Sequence, residues 1–279
     1  MNGEDRMIRA DLHMHTTVSD GADSIEVVVT RCAKKKLTHM AITNHDDMDG
    51  FEEIKNLCEH YGIKTVKSIE MTTYDRDTGL KAHLLGYDIQ DEGPIRALTD
   101  PMLKRRHENA LKQIAVLRDE GYDIDIDELK SRVYKIIYKQ NLLAYLVEKG
   151  YADEIYGEFY KKYFSGGGAC AFRCEDIDTV SALKAIKKVG GLAVLAHPGQ
   201  QKNYVLIDKL HPLGLDGVEL HHRWNDEEAM KEIKRHCEGR DLFFTGGSDY
   251  HGSFSRHRVD IGDYLATEEA VRRIFRIDP

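Results

Sequence analysis

Asp11-Leu12-His13-Met14-His15-Thr16-Thr17-Val18-Ser19-Asp20-Gly21 marks the point where an apolar stretch turns into a polar loop. The lead-in, Ile8 to His13, reads as a strand. On an extended chain alternate side chains share a face, so His13 and His15 point the same way and can grip one cation together. A single His-x-His pair is weak evidence for a metal. What decides is where the remaining histidines and carboxylates fall.

They fall at strand ends. His45 follows the short apolar run Met40 to Thr43, and Glu70 lies within the strand Lys64 to Tyr74. His83 opens the strand Ala82 to Ile89, across an Asp77-Thr78-Gly79 turn. His197 follows Leu192 to Leu195, and Asp249 and His251 follow Leu242 to Thr245, with a further strand at Gly217 to Leu220. Helical patterns alternate with these strands: Ile25, Val28, Val29 and Cys32 after Ser24, then Phe51 to His60, then Thr179 to Val189 before Gly190-Gly191. Repeated β/α units predict a parallel sheet or barrel. Loops at the carboxyl ends of such strands converge on one face, where these folds build their sites.

Between residues 95 and 168 the texture changes to a continuously helical, Lys/Arg/Glu-rich stretch that ends at Ser165-Gly166-Gly167-Gly168. The expected organisation is a β/α domain over 1–94 and 169–279, with a helical insertion over 95–168 capping the substrate side. The chain is long enough, at 279 residues, to hold both. No apolar run reaches the roughly 18 residues that span a bilayer. The polar, acidic start Met1-Asn2-Gly3-Glu4-Asp5 is unlike a secretion signal, so a cytoplasmic location is expected. Five scattered cysteines do not make a disulfide framework, and Cys170 and Cys174 have no second pair to complete a zinc site. A net charge of −8 speaks against a platform for long nucleic acid, though not against a small phosphorylated substrate. Nothing in the sequence bears on oligomeric state.

Imidazole and carboxylate donors suit Zn²⁺, Mn²⁺ or Fe²⁺. Three divalent ions set against Asp20, Glu70 and Asp249 would leave the site at roughly +3, an anion-attracting pocket in an acidic protein. Two cations about 3.5–4 Å apart can activate a water and clamp a phosphoryl oxygen.

The opening segment resembles the first motif of the PHP (polymerase and histidinol phosphatase) family. Five later segments match in order: Ile42-Thr43-Asn44-His45-Asp46, Ile69-Glu70, Ala82-His83, Leu195-Ala196-His197-Pro198 and Gly246-Gly247-Ser248-Asp249-Tyr250-His251. The resemblance implies a distorted (β/α)7 barrel with a trinuclear metal site. It implies that His13, His15, Glu70 and Asp249 hold one ion, and that Glu70 bridges to a second held with His83 and His197. Asp20, His45 and His251 would hold the third. The implied reaction is phosphomonoester hydrolysis by a hydroxide held on the metals.

The insertion is similar to that of a subgroup acting on nucleotides, including 3′,5′-nucleoside bisphosphates, and on short RNA ends. Where that subgroup carries Arg-Pro-His, this chain has Lys139-Gln140-Asn141. Lys139 keeps the charge without arginine's planar fork, and Asn141 can be neither a cation nor a general acid. Asn44 replaces the usual Asp, which is expected to weaken support of His45. Lys139, Asn141, Arg173, His222 and Arg223 are the candidate substrate contacts. Arg105-Arg106-His107 reads as a solvent-facing run, with phosphate steering as the alternative, and Tyr138 as core or rim.

The expected partner is a small phosphorylated metabolite, a nucleotide above others, with short oligonucleotides as the alternative. A metal-dependent amidohydrolase also opens with His-x-His on a barrel strand, but it would use a bridging lysine where this chain has Glu70. A metal-binding module without turnover is the remaining reading.

Overall fold

The computed structural model describes residues 7–255 and 257–278, so the acidic start read from Met1 to Asp5 lies outside the described residues. In chain order the elements begin β1 (Ala10–Asp11), α1 (Ile25–Lys34), β2 (His39–Met40), α2 (Phe51–Tyr61), β3 (Lys64–Thr65), β4 (Ser68–Asp75) and β5 (Leu80–Tyr87). Four helices follow: α3 (Gly93–Asp119), α4 (Ile126–Ser131), α5 (Lys139–Glu148) and α6 (Glu158–Phe164). The chain then runs through β6 (Ile177–Asp178), α7 (Thr179–Lys188), β7 (Leu192–Leu195), α8 (Pro198–Gln201) and α9 (Val205–Leu210). It ends with β8 (Gly217–His221), α10 (Glu227–Cys237), β9 (Phe243–Gly246) and α11 (Glu268–Phe275).

Seven strands close a distorted barrel. β1 pairs with β2 in parallel, and β7, β8 and β9 form a parallel run. Two isolated parallel bridges complete the ring: His45 to Glu70 carries β2 onto β4, and Met14 to Tyr250 carries β9 onto β1. The distortion is β5, which runs antiparallel to both β4 and β7. That reversal brings the beginning of β5 to the end of the barrel where β7 finishes, and Ala196 N–H donates to the His83 carbonyl there. β3 and β6 pair only at the margins, on β2 and β4.

The helices wrap this ring because each has one apolar face and a defined start. α1 buries Ile25, Val28, Val29 and Cys32 and starts where Ser24 Oγ accepts from Val27 N–H. α7 is capped in the same way by Asp178 and α10 by Asp226. Ala10, Leu12, Leu85, Tyr87, Val194 and Phe243 converge from the strands onto Val271 and Ile274 of α11.

The stretch read as continuously helical is instead four helices separated by loops. The first turns of α3 place Ile95 and Met102 in the barrel core, while Ala110, Ile114 and Leu117 belong to a separate cluster with α5, α6 and Cys170. All five cysteines are free. Among the described residues no helix is long and apolar enough to cross a membrane.

Candidate metal centre

Three backbone anchors aim the first loop. Asp11, fully buried, takes His13 N–H and Ser248 N–H on Oδ1 and Gly262 N–H on Oδ2, tying the segments that carry His13 and Asp249 together. Burial pushes its carboxyl up to about 6 against those hydrogen bonds. Asn44 Oδ1 accepts from Thr16 N–H, Thr16 Oγ1 and Ser19 Oγ. The expected loss of support for His45 is therefore not where Asn44 acts: its amide braces the loop that carries Asp20. The third anchor is Asp249 N–H donating to the His13 carbonyl at 2.8 Å, and Gly247 permits that approach, because a Cβ there would stand 2.3 Å from the Cβ of His13.

The nine residues His13, His15, Asp20, His45, Glu70, His83, His197, Asp249 and His251 come together at one end of the barrel. Glu70 is the hub. Its Oε1 lies 2.7 Å from His83 Nδ1 and 2.9 Å from His197 Nε2. Its Oε2 lies 3.0 Å from His13 Nε2, 3.1 Å from His15 Nε2 and 3.4 Å from His45 Nδ1. The two oxygens thus serve two different sets of imidazoles, which is the arrangement of a bridging carboxylate. Asp249 Oδ1 stands 3.3 Å from His15 Nε2 and 3.4 Å from His251 Nδ1, and Asp20 Oδ1 stands 3.3 Å from His251 Nε2. Potential ligand atoms lie within 4.8 Å of one another in three groups: His13/His15/Glu70/Asp249, His15/Asp20/His45/His251 and His45/Glu70/His83. His197 and Asp249 hold left-handed backbone angles, φ 29° and 52°, a strain that clusters at functional sites.

The donor set fits divalent cations. Glu70, Asp20 and Asp249 are buried carboxylates. Burial opposes their charge, yet the surrounding imidazoles hold all three below the ordinary carboxylate range. The carboxylates in turn overcome the effect of burial on His251 and push it up to about 9. Burial wins at His45, which falls to about 3 against the pull of Glu70 and Asp20. His15 Nδ1 and Nε2, His45 Nδ1 and His197 Nδ1 are buried with no hydrogen-bond partner. Buried imidazole nitrogens that lack partners among three ionised carboxylates suit a cation site that needs no thiolate.

Glu219 was not singled out from the sequence, and Arg106 was placed mainly in solvent. Glu219, fully buried on β8, accepts from His13 Nδ1 at 3.0 Å on Oε1 and from His197 N–H at 2.9 Å on Oε2. It fixes the tautomer and aim of His13, as carboxylates behind metal-bound histidines do. A glutamate inside the apolar run Gly217 to Leu220 was the available signal. Arg106 was expected to face solvent. Instead it points inward from α3, donates to Asp46 Oδ2 at 2.9 Å and lies over the Tyr138 ring. Tyr138, buried as expected, donates its hydroxyl to the His45 carbonyl, and Gln140 Nε2 donates to Asp20 Oδ2 at 3.0 Å. The helical segment therefore touches the centre through Arg106, Tyr138 and Gln140.

Above the cluster open two cavity lobes of about 280 and 250 Å³, which share Asp20, His45, His83 and Gln140. Arg106 and Lys139 line one, Arg223 and Trp224 the other. Arg223 is held by Ser255 Oγ at 2.9 Å and packs over Trp224. The other candidate contacts lie off these walls. Asn141 is buried in the first turn of α5, where its Oδ1 accepts from Tyr138 N–H. Arg173 is exposed, and its carbonyl accepts from Asn109. His222 is buried beneath Asp249, with Nε2 3.4 Å from Oδ2.

Comparison with known proteins agrees with this geometry. The PHP domain model matches residues 11–192. A phosphoribosyl 1,2-cyclic phosphate 1,2-diphosphodiesterase of Eggerthella lenta is 37% identical over 252 residues, 88% of this chain and 95% of that one. A 3′,5′-nucleoside bisphosphate phosphatase of Chromobacterium violaceum is 26% identical across 97% of this chain and 96% of its own length. A crystal structure from Bifidobacterium adolescentis, assigned to the metal-dependent phosphoesterases, superimposes with a TM-score of 0.86 at 25% identity, covering 98% of this chain and 97% of that one.

Proposed function

The chain belongs to the PHP-domain family of metal-dependent phosphoesterases, and from that premise we propose that it hydrolyses a phosphate ester of a small phosphorylated ribose compound, a nucleotide above others. The observation that carries this reading is Glu70, with its two oxygens divided between two sets of imidazoles at the floor of a cavity with cationic walls.

His13, His15, Glu70 and Asp249 would hold one ion. Glu70 with His83 and His197 would hold a second, and Asp20, His45 and His251 a third. Bound divalent ions supply an acidified water as nucleophile and neutralise charge on the phosphoryl oxygens. The chain's own residues do the rest. Asp11 and Glu219 hold His13 in position, and Asn44 holds the loop of Asp20. Arg106 and Lys139 on one side, and Arg223 on the other, bind phosphate oxygens of the substrate. Arg106 and Arg223 arrive already fixed, by Asp46 and Tyr138 and by Ser255 and Trp224, so little side-chain freedom is lost on binding.

Cations on two sides of one centre suit a ribose that carries two phosphate groups. The Chromobacterium relative acts on such a compound by name. A second reading, hydrolysis of a small cyclic phosphodiester of ribose, is favoured by the 37% identity of the Eggerthella relative, which by name acts on one. The test is phosphate release or ring opening in Mn²⁺ buffer across nucleoside 3′,5′-bisphosphates, mononucleotides, ribose cyclic phosphates and 5′-phosphorylated short oligonucleotides. Chelator-sensitive turnover of one of the small ribose phosphates, lost in His197→Ala, is the expected result. Turnover confined to oligonucleotides would replace this reading with an exonuclease. No turnover by metal-loaded protein would leave a binding module.

A further inference from the structure

We propose that His222 is a positioning residue that holds Asp249 as a one-oxygen metal ligand. The inference rests on the reading of the nine-residue cluster as a metal centre. His222 follows β8 at the end of the barrel where the ligands gather, and its side chain is 0% exposed, so it cannot touch a substrate.

Its ring is fixed from several directions. It stacks at 6.1 Å on His13, tilts at 5.1 Å against His197 and lies 6.4 Å from Tyr264. Nδ1 accepts from Trp224 N–H at 3.3 Å, which leaves the ring proton on Nε2. That nitrogen is buried with no hydrogen-bond partner in this geometry, and Asp249 Oδ2 stands 3.4 Å from it. Arg223 Nη2 stands 3.8 Å from the same oxygen. The other oxygen, Oδ1, faces His13, His15 and His251 at 3.6, 3.3 and 3.4 Å.

The carboxylate is thus divided. Oδ1 is turned to the imidazoles and Oδ2 to two basic side chains adjacent in sequence. An N–H donor on Oδ2 keeps that oxygen from swinging round to a cation, and it fixes the plane of a carboxylate whose backbone already holds a left-handed φ of 52°. Because its Nε2 carries a proton and faces away from the imidazole side of Asp249, His222 is not itself a ligand.

The test is titration of chelator-stripped protein with Mn²⁺, reading free Mn²⁺ by electron paramagnetic resonance, on wild type, His222→Gln and His222→Asn. Glutamine places an amide N–H close to Nε2. Asparagine can still accept from Trp224 N–H but cannot reach Asp249. One Mn²⁺ equivalent should weaken about 10- to 100-fold in His222→Asn and stay within about threefold of wild type in His222→Gln. An asparagine variant that binds like wild type overturns the proposal, and so does a glutamine variant that falls as far as the asparagine one. The readout is metal rather than turnover. Protein that binds Mn²⁺ in this pattern yet hydrolyses no phosphate ester would sink the proposed function and leave His222 in its role.

Discussion

Five imidazoles approach Glu70 within 3.4 Å, two on Oε1 and three on Oε2. Replacing Glu70 with glutamine removes the shared negative charge at almost constant volume. It should cost at least one bound ion per chain and about 10²-fold or more in turnover; wild-type metal content by elemental analysis would contradict the bridging role. Glu219→Gln acts one step back, through His13, and should weaken Mn²⁺ binding roughly 10-fold while the chain still folds. Away from the centre, burial, helped by Lys64, pulls His39 down to about 4 from its ordinary 6.5. Its folded-state pKa is depressed, so below about 6.5 the unfolded chain takes up a proton that the folded chain refuses. Stability present above 6.5 is therefore lost as pH falls toward 4, and His39→Gln should flatten that part of a Tm-against-pH curve; parallel curves would rule it out. At this scale the ligand candidates were legible because histidines recurring at strand ends need no knowledge of packing. Glu219 and Arg106 were not, because which face of a strand or helix looks inward is set by neighbours that only the folded chain supplies.

The loops and the first turns of the helices do the aiming. Asn141 shows why an element can hide a residue's job: in the sequence it occupies a family position for substrate contact, but its Oδ1 satisfies Tyr138 N–H at the start of α5. Asn141→Ala should cost about 1 kcal/mol of stability, read by denaturant unfolding, and leave kcat/KM within about twofold. A large loss of kcat/KM at unchanged stability would return Asn141 to the cavity. Arg106→Ala strands the buried Asp46, whose other donors are Thr72 N–H and Oγ1. It should lower stability by about 3 kcal/mol and raise KM more than it lowers kcat. Strand bounds were the least legible elements. The apolar run Ile8 to His13 suggests six residues of strand, but the regular ladder of β1 is Ala10–Asp11, since beyond it the chain leaves the ladder to present His13 and His15. The helical insertion reads as continuous because its charges and apolar residues keep helical spacing throughout. The breaks come at short connections such as Gly121 to Asp125, where Gly121 holds a positive φ and Asp125 caps α4.

Across the molecule, the alternation of strands and helices announced a parallel sheet or barrel, the family resemblance implied the barrel, and seven strands do close one. The antiparallel course of β5 was foreshadowed only by the tight turn at Asp77-Thr78-Gly79, which is too short for a parallel crossover. An acidic chain of net charge −8 that gathers three buried carboxylates and six histidines at one end should gain stability when cations bind there. Mn²⁺ at about 100 times its dissociation constant should contribute roughly 2.7 kcal/mol and raise Tm by about 5–10 °C. Calorimetry with and without chelator checks this, and an unchanged Tm would contradict it. The most direct measurement couples the two halves of the account. Chelator-stripped protein is titrated with Mn²⁺ while hydrolysis of the best substrate from the panel is followed in the same sample. Hydrolysis should rise from background as two or more ions bind per chain and return to background on chelation. Hydrolysis that ignores both metal and chelator, or full occupancy with no hydrolysis, would contradict a multinuclear phosphoesterase centre built on Glu70.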